Sequence, residues 1–283
     1  MVRSRVLAVV LLVALAGCAN AGDLLDDRAT DRSPANGPTP TAGPDAGEAA
    51  PTEGACRRLK LADIAPPTNE DREVPCAKRH TAVTYYVGKW PARLIRSASG
   101  VGDRRLSGYV GRACDRAWRD TVGGDLEAWV TSIVSWAWYK PTPEQFDQGA
   151  RWFRCDLVAG QSTQRLERLP RRVDGILDGE FDDRYRACWT TKFSDKPNAD
   201  PGELTSCARR HQQRAIGIVR VGPSKADYPG ERAAFDRSNR RCGDLVAKWR
   251  GNPRPGDYGL QWPRRSDWRA GERHATCWAV TRR

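Results

Sequence analysis

The chain has 283 residues, a formal net charge of +12 and a mean hydropathy of −0.67. Past the first eighteen residues no stretch approaches the ~20 apolar residues of a membrane helix, which excludes a bundle of membrane-spanning helices. The length left after the N-terminal segments suits two small domains of roughly 100 residues each.

Arg3 and Arg5 precede an apolar run from Val6 to Ala14, and Leu15-Ala16-Gly17 leads with small residues into Cys18. Residues 1–18 therefore read as a secretory signal of the lipoprotein kind, with Cys18 as the expected site of lipidation, palmitate included. Residues 19–55 hold Pro34, Pro38, Pro40, Pro44 and Pro51 and no aromatic residue. Such a stretch cannot bury enough surface to offset its ordering entropy, so a disordered tether is expected. This tether is net −5 and the start of the signal +2, so residues 56–283 carry +15 within the whole-chain +12.

The remaining cysteines form two sets, Cys56, Cys76, Cys114 and Cys155, then Cys188, Cys207, Cys242 and Cys277. Their steps of 20, 38 and 41 residues are echoed by 19, 35 and 35. Cys76-Ala77-Lys78-Arg79-His80 is answered by Cys207-Ala208-Arg209-Arg210-His211, and Pro141, Phe146 and Gly149 by Pro263, Trp268 and Gly271. Val87-Gly88 is matched with Val221-Gly222 after an insertion of three residues. Self-similarity at this period marks a duplication, with repeat 1 at 56–170 and repeat 2 at 171–283.

Within each repeat the elements follow one order. Dense β-branched and aromatic residues predict strands over 81–87 and 215–221. Leu106, Tyr109, Val110, Ala113, Ala117 and Trp118 then fall at helical spacing, as do Phe235, Cys242, Leu245, Val246 and Trp249. Residues 133–138 read as a strand with Trp136 and Trp138 on one face. Thr142-Pro143-Glu144-Gln145 supplies a cap, a first-turn proline and a capping-box glutamine for a single helical turn. Residues 152–157 and 275–280 close each repeat as strands. The expected class is α+β, with two tandem repeats, each a small antiparallel sheet with one longer helix and a short helical turn.

In an exported chain eight cysteines in an even set should be oxidised. Four cysteines allow three pairings per repeat. Keeping strand neighbours together and tying the helix to the last strand favours Cys56 with Cys76, Cys114 with Cys155, Cys188 with Cys207, and Cys242 with Cys277.

The Val74-Pro75-Cys76 segment with His80, the Tyr228-Pro229-Gly230-Glu231 entry into a cysteine-bearing helix, and the Pro-Thr-Pro-x-x-Phe-x-x-Gly run leading to Cys155 resemble the septum formation family. The resemblance covers roughly 56–283 and implies an envelope protein, often a lipoprotein, linked by name to cell division. Its motif carries no catalytic chemistry. Where members usually carry an acid three residues after the histidine, this chain has Val83 and Arg214.

His80 and His211 share one repeated position, which points to a structural histidine bonded to backbone rather than a base or metal ligand. Asp182 and Asp183, near Glu180, could suggest paired carboxylates for glycan cleavage, but their charged linker reads as a solvated turn. Trp136, Trp138 and Tyr139 could form a carbohydrate platform, against the plainer expectation of core filling. With no catalytic residue, metal or cofactor in view, the chain reads as a non-catalytic binding or scaffolding lipoprotein at the extracytoplasmic face of the membrane. A cell-wall-modifying enzyme would instead show a duplicated cleft with paired carboxylates, and a ligand carrier a large apolar pocket between the repeats. Arginine, 39 of the 47 basic residues, suits phosphate and carboxylate partners. Export favours anionic envelope lipid, wall polymer or division and envelope proteins over nucleic acid.

Overall fold

A computed structural model of the chain describes residues 50–191, 202–254 and 256–281. Cys18 and the tether up to residue 49 lie outside the described residues, whereas residues 50–55, expected in the tether, join repeat 1, with Gly54 N donating to Thr84 O at 2.8 Å and Thr84 N to Ala55 O at 2.9 Å. Repeat 1 runs β1 (Cys56–Arg57), β2 (Ala82–Lys89), α1 (Ala92–Ser97), α2 (Arg104–Val122), α3 (Leu126–Val130), β3 (Val134–Tyr139), α4 (Pro143–Asp147) and β4 (Trp152–Ala159). Repeat 2 runs β5 (Ala187–Trp189), β6 (Leu204–Ser206), β7 (Gln213–Arg220), α5 (Glu231–Arg250), β8 (Tyr258–Gln261), α6 (Arg265–Arg269) and β9 (His274–Val280). The sheets are antiparallel, in the orders β1-β2-β4-β3 and β6-β5-β7-β9-β8. Each carries one long helix across it, so the α+β class with two like sheets holds.

The long helices form because their apolar residues recur every turn. On α2 the residues Leu106, Val110, Cys114, Trp118 and Val122 are buried at steps of four. Asp103 caps its start by accepting from Arg105 N at 2.8 Å, and the Arg105 side chain holds that carboxyl well below the usual carboxylate range. Sulfur fixes each helix to its sheet, through Cys114–Cys155 from α2 to β4 and Cys242–Cys277 from α5 to β9. Cys56–Cys76 and Cys188–Cys207 tie each first strand to the turn before the next long strand. Four disulfides fit an oxidising, extracytoplasmic compartment. No helix among the described residues is long and apolar enough to cross a membrane.

Strand register corrects one sequence match. Thr84 pairs with Asp156 and Ala215 with Trp278, and both long strands then shift register at the next residue. Counting onward, Val87 corresponds to Ile218 and Gly88 to Val219, with no insertion between histidine and strand. The reason is packing. Gly88 faces Phe153, whose ring would lie 2.3 Å from an added Cβ, whereas Val219 faces the small Ala275. Gly222 lies beyond the strand under Trp268.

The same register exposes a larger exchange. In repeat 1, buried Arg57 donates to Thr84 Oγ1 (2.6 Å), which donates to Asp156 Oδ1 (2.7 Å), and Arg154 Nε lies 3.2 Å from Asp156 Oδ2. Arg57 also reaches Glu73 and Arg154 reaches Asn69, so the network fastens the 69–73 loop to the sheet. The corresponding residues of repeat 2 are Trp189, Ala215 and Trp278. There the two indoles meet edge to face with centroids 6.2 Å apart. One fold is filled by ions in one copy and by aromatics in the other.

The repeats share a seam. Leu169, Val173, Leu177, Phe181 and Tyr185 pack into the core of repeat 1 with Trp118, Val122 and Leu157, although most follow residue 170. Gly123 and Gly124, both at positive φ, turn the chain after α2, and Gly124 N donates to Asp178 at 2.9 Å. A Cβ on Gly123 would stand 2.0 Å from the Asp178 carboxylate, so the turn requires glycine. In return Ile133 enters the repeat 2 core, and Glu127 of α3 accepts from Ile218 N at 3.2 Å.

Two outcomes follow from these contacts. Asp156→Ala leaves Arg154 buried without its carboxylate and Thr84 without its acceptor, and should lower stability by about 3–5 kcal/mol in urea unfolding with disulfides intact. A loss below about 1 kcal/mol would mean that the network is already solvated. Gly217→Tyr places a ring where Glu127 and Leu245 now approach within 3.0 Å, so the Ile218 amide should exchange faster while β9 stays protected. Unchanged exchange at Ile218 would contradict the seam.

Candidate binding groove

The expected site residues resolve first into structural ones. His80 is buried, with Nδ1 2.8 Å from Lys78 O and Nε2 3.0 Å from Pro170 O. His211 repeats the local contact, with Nδ1 2.7 Å from Arg209 O. Each ring braces the turn that follows its disulfide, and His80 also ties that turn to the seam. With both ring nitrogens against backbone carbonyls and the ring buried, His80 is built into the turn and faces no cleft. Among the described residues no group of three His, Cys, Asp or Glu converges as a metal site requires.

Asp182 and Asp183 do not face each other across a cleft. Asp182 accepts from Arg184 N at 2.7 Å, and Asp183 pairs with Arg214 Nη1 at 2.5 Å. Arg214 stands three residues after His211, and its cation reaches a seam carboxylate. Val83, at the same place in repeat 1, joins the core. Trp136 and Trp138 pack against the helix-side core, while Tyr139 is buried on the opposite face and donates to Asp63 O at 3.1 Å. The three aromatics therefore form no common platform.

Two open depressions stand out on the described surface. One lies at the seam, about 280 Å³, lined by Asp125, Glu127, Thr131, Phe181 and Arg186 among others. Its charged lining differs from the large apolar pocket of a carrier, and the Arg186 guanidinium stacks 4.1 Å over Phe181.

The other is an open groove of about 300 Å³ on the flank of repeat 1. The register shift in β2 turns Tyr86 toward α2, and Tyr109, Arg112, Ala113, Arg116, Ala117 and Asp120 complete the lining. Tyr86 and Tyr109 are held by Phe153, at 5.9 and 6.0 Å between centroids. Arg112 and Arg116 stand one turn apart on the exposed face of α2, and neither makes a hydrogen bond or ion pair with a described residue. Rigid aromatic walls beside unpaired guanidiniums suit a carboxylate or phosphate ligand.

Sequence reasoning passed over this groove. The one available signal was the polar face of α2 compared with α5 from their cysteines outward, where Arg116 and Ala117 become Asp244 and Leu245.

A model of the septum formation family matches residues 53–277. Comparison with curated proteins and with solved structures returned no match. The family match takes in both sheets, both long helices and all four disulfides, and the chain belongs to the septum formation family.

Proposed function

We propose that this chain is a non-catalytic binding or scaffolding lipoprotein, anchored through Cys18 at the extracytoplasmic face of the membrane and serving septum formation. Anionic envelope lipid or wall polymer is its electrostatic partner. The observation that carries the reading is the charge, +15 on residues 56–283, set on a duplicated scaffold whose eight cysteines are all spent in disulfides. A field of that size draws anions without a deep pocket. Oxidised core thiols and a His80 ring buried against backbone carbonyls support the non-catalytic reading. The division role rests on the family.

Anchoring is tested by Cys18→Ala. One acyl chain binds a bilayer only marginally, so a mature anchor with several chains is expected. The variant should lose the mass of the acyl groups and move to the soluble fraction, and unchanged mass and retention would refute the anchor.

Adhesion is tested with the full chain carrying Cys18→Ala, against anionic vesicles and purified anionic wall polymer. Binding should fall steeply as salt shortens the Debye length from about 10 Å at 0.1 M to about 3 Å at 1 M. Binding that persists undiminished at high salt, or is absent at low salt, would contradict the electrostatic reading.

A further inference from the structure

The two repeats treat one flank differently. β1 and the residues just before it pair with β2 as far as Thr84, and β5 pairs with β7 at Gln213 and Arg214, so each long strand beyond these points is an outer edge. At the corresponding edge amides both repeats recruit a glutamate. Ile218 N donates to Glu127 at 3.2 Å, and Val87 N donates to Glu53 at 2.8 Å.

What accompanies the glutamate differs. Glu127 brings α3, which packs along β7, and Glu127 and Leu245 both close over Gly217. Glu53 comes from an extended segment paired at Thr84, and leaves the flank of α2 open as the groove. Tyr86 and Ala117, the counterparts of Gly217 and Leu245, line that groove.

We infer that the repeat 1 flank is a docking site for an acidic helical segment of another envelope protein, seated along the β2 edge next to α2 as α3 is seated along the β7 edge. Charge complementarity identifies the occupant, because Arg112 and Arg116 have no ion-pair partner among the described residues while Asp120 is the one acid lining the groove. A second copy of this chain does not supply it in the same manner. The α2-to-β3 connection spans 123–133 and carries α3, whereas residues 251–257 are shorter and include Pro253 and Pro255.

The inference rests on the reading of the chain as an envelope binding protein and names a protein partner for it. The test uses the full chain with Cys18→Ala and a synthetic helical peptide bearing glutamates four residues apart, followed by fluorescence anisotropy at low salt. The peptide should bind, and Arg112→Glu with Arg116→Glu should weaken it by roughly tenfold or more. Tyr109→Ala should also weaken it, which binding by charge alone would not require. Arg237→Glu with Arg240→Glu, on the same face of α5, should leave it unchanged. Absence of peptide binding, or equal loss from the α5 pair, overturns the inference.

Anionic vesicles form the second arm. Vesicle retention should be nearly the same with and without the Arg112/Arg116 reversal. Retention that collapses with that reversal makes the flank a lipid surface and overturns the inference. If vesicles or wall polymer bind and the peptide does not, this inference fails while the electrostatic reading stands.

Discussion

The bond between each long helix and its central sheet strand is the constraint on which the remaining geometry depends. Cys114–Cys155 and Cys242–Cys277 fix α2 over β4 and α5 over β9, and so set where each helix leaves its flank relative to β2 or β7. A loop of 35 or 41 residues closed this way should stabilise the fold by roughly 3–4 kcal/mol. Domains of about 100 residues bury modest cores, so a covalent link at the centre counts for more here than in a larger protein. The second disulfide of each repeat and the repeated histidine then hold the turn before the long strand.

With that frame duplicated, the interior is free to diverge, and the divergence separates what the fold needs from what it carries. Arg57, Thr84 and Asp156 in one copy against Trp189, Ala215 and Trp278 in the other show that the sheet accepts either an ionic or an aromatic filling. An ion pair in a dry interior gives little net stability over an apolar replacement, yet removing one member is costly. The ions of repeat 1 also reach beyond the core. They extend out of the core to Glu73 and Asn69 and secure a loop. The Gly88–Phe153 and Val219–Ala275 pairs make the same point in volume, since a large side chain on one strand is met by a small one opposite.

Much of this was readable from the amino acids. Cysteine spacing revealed the duplication, helical periodicity placed α2 and α5, and Thr142 with Pro143 and Gln145 placed α4, whose capping box is present. The short strands β1, β5 and β6 gave no periodic signal because each has only two or three residues. α3 was missed because five residues are too few to show a period. The buried network was hidden since Arg57, Thr84 and Asp156 are far apart in sequence and meet only through strand pairing. Likewise Val87-Gly88 invited a match with Val221-Gly222 by letters alone, where the volumes of Phe153 and Ala275 decide the register. The groove escaped for a related reason, as Tyr86 reaches α2 only through a shift in strand register.

Function emerges from asymmetry within symmetry. Repeat 2 spends its flank on holding repeat 1, through α3 and Glu127, whereas repeat 1 keeps the equivalent surface open and basic. On this account one copy serves assembly of the molecule and the other faces the envelope. Hydroxyl-radical footprinting of the full chain on its own membranes, compared with the same chain released in detergent, tests that division most directly. The account predicts that Tyr86 and Tyr109 are protected on membranes while exposed Trp249 and partly exposed Tyr258 on repeat 2 are labelled equally in both states. Protection of Trp249 and Tyr258 with no change at Tyr86 and Tyr109 would contradict it.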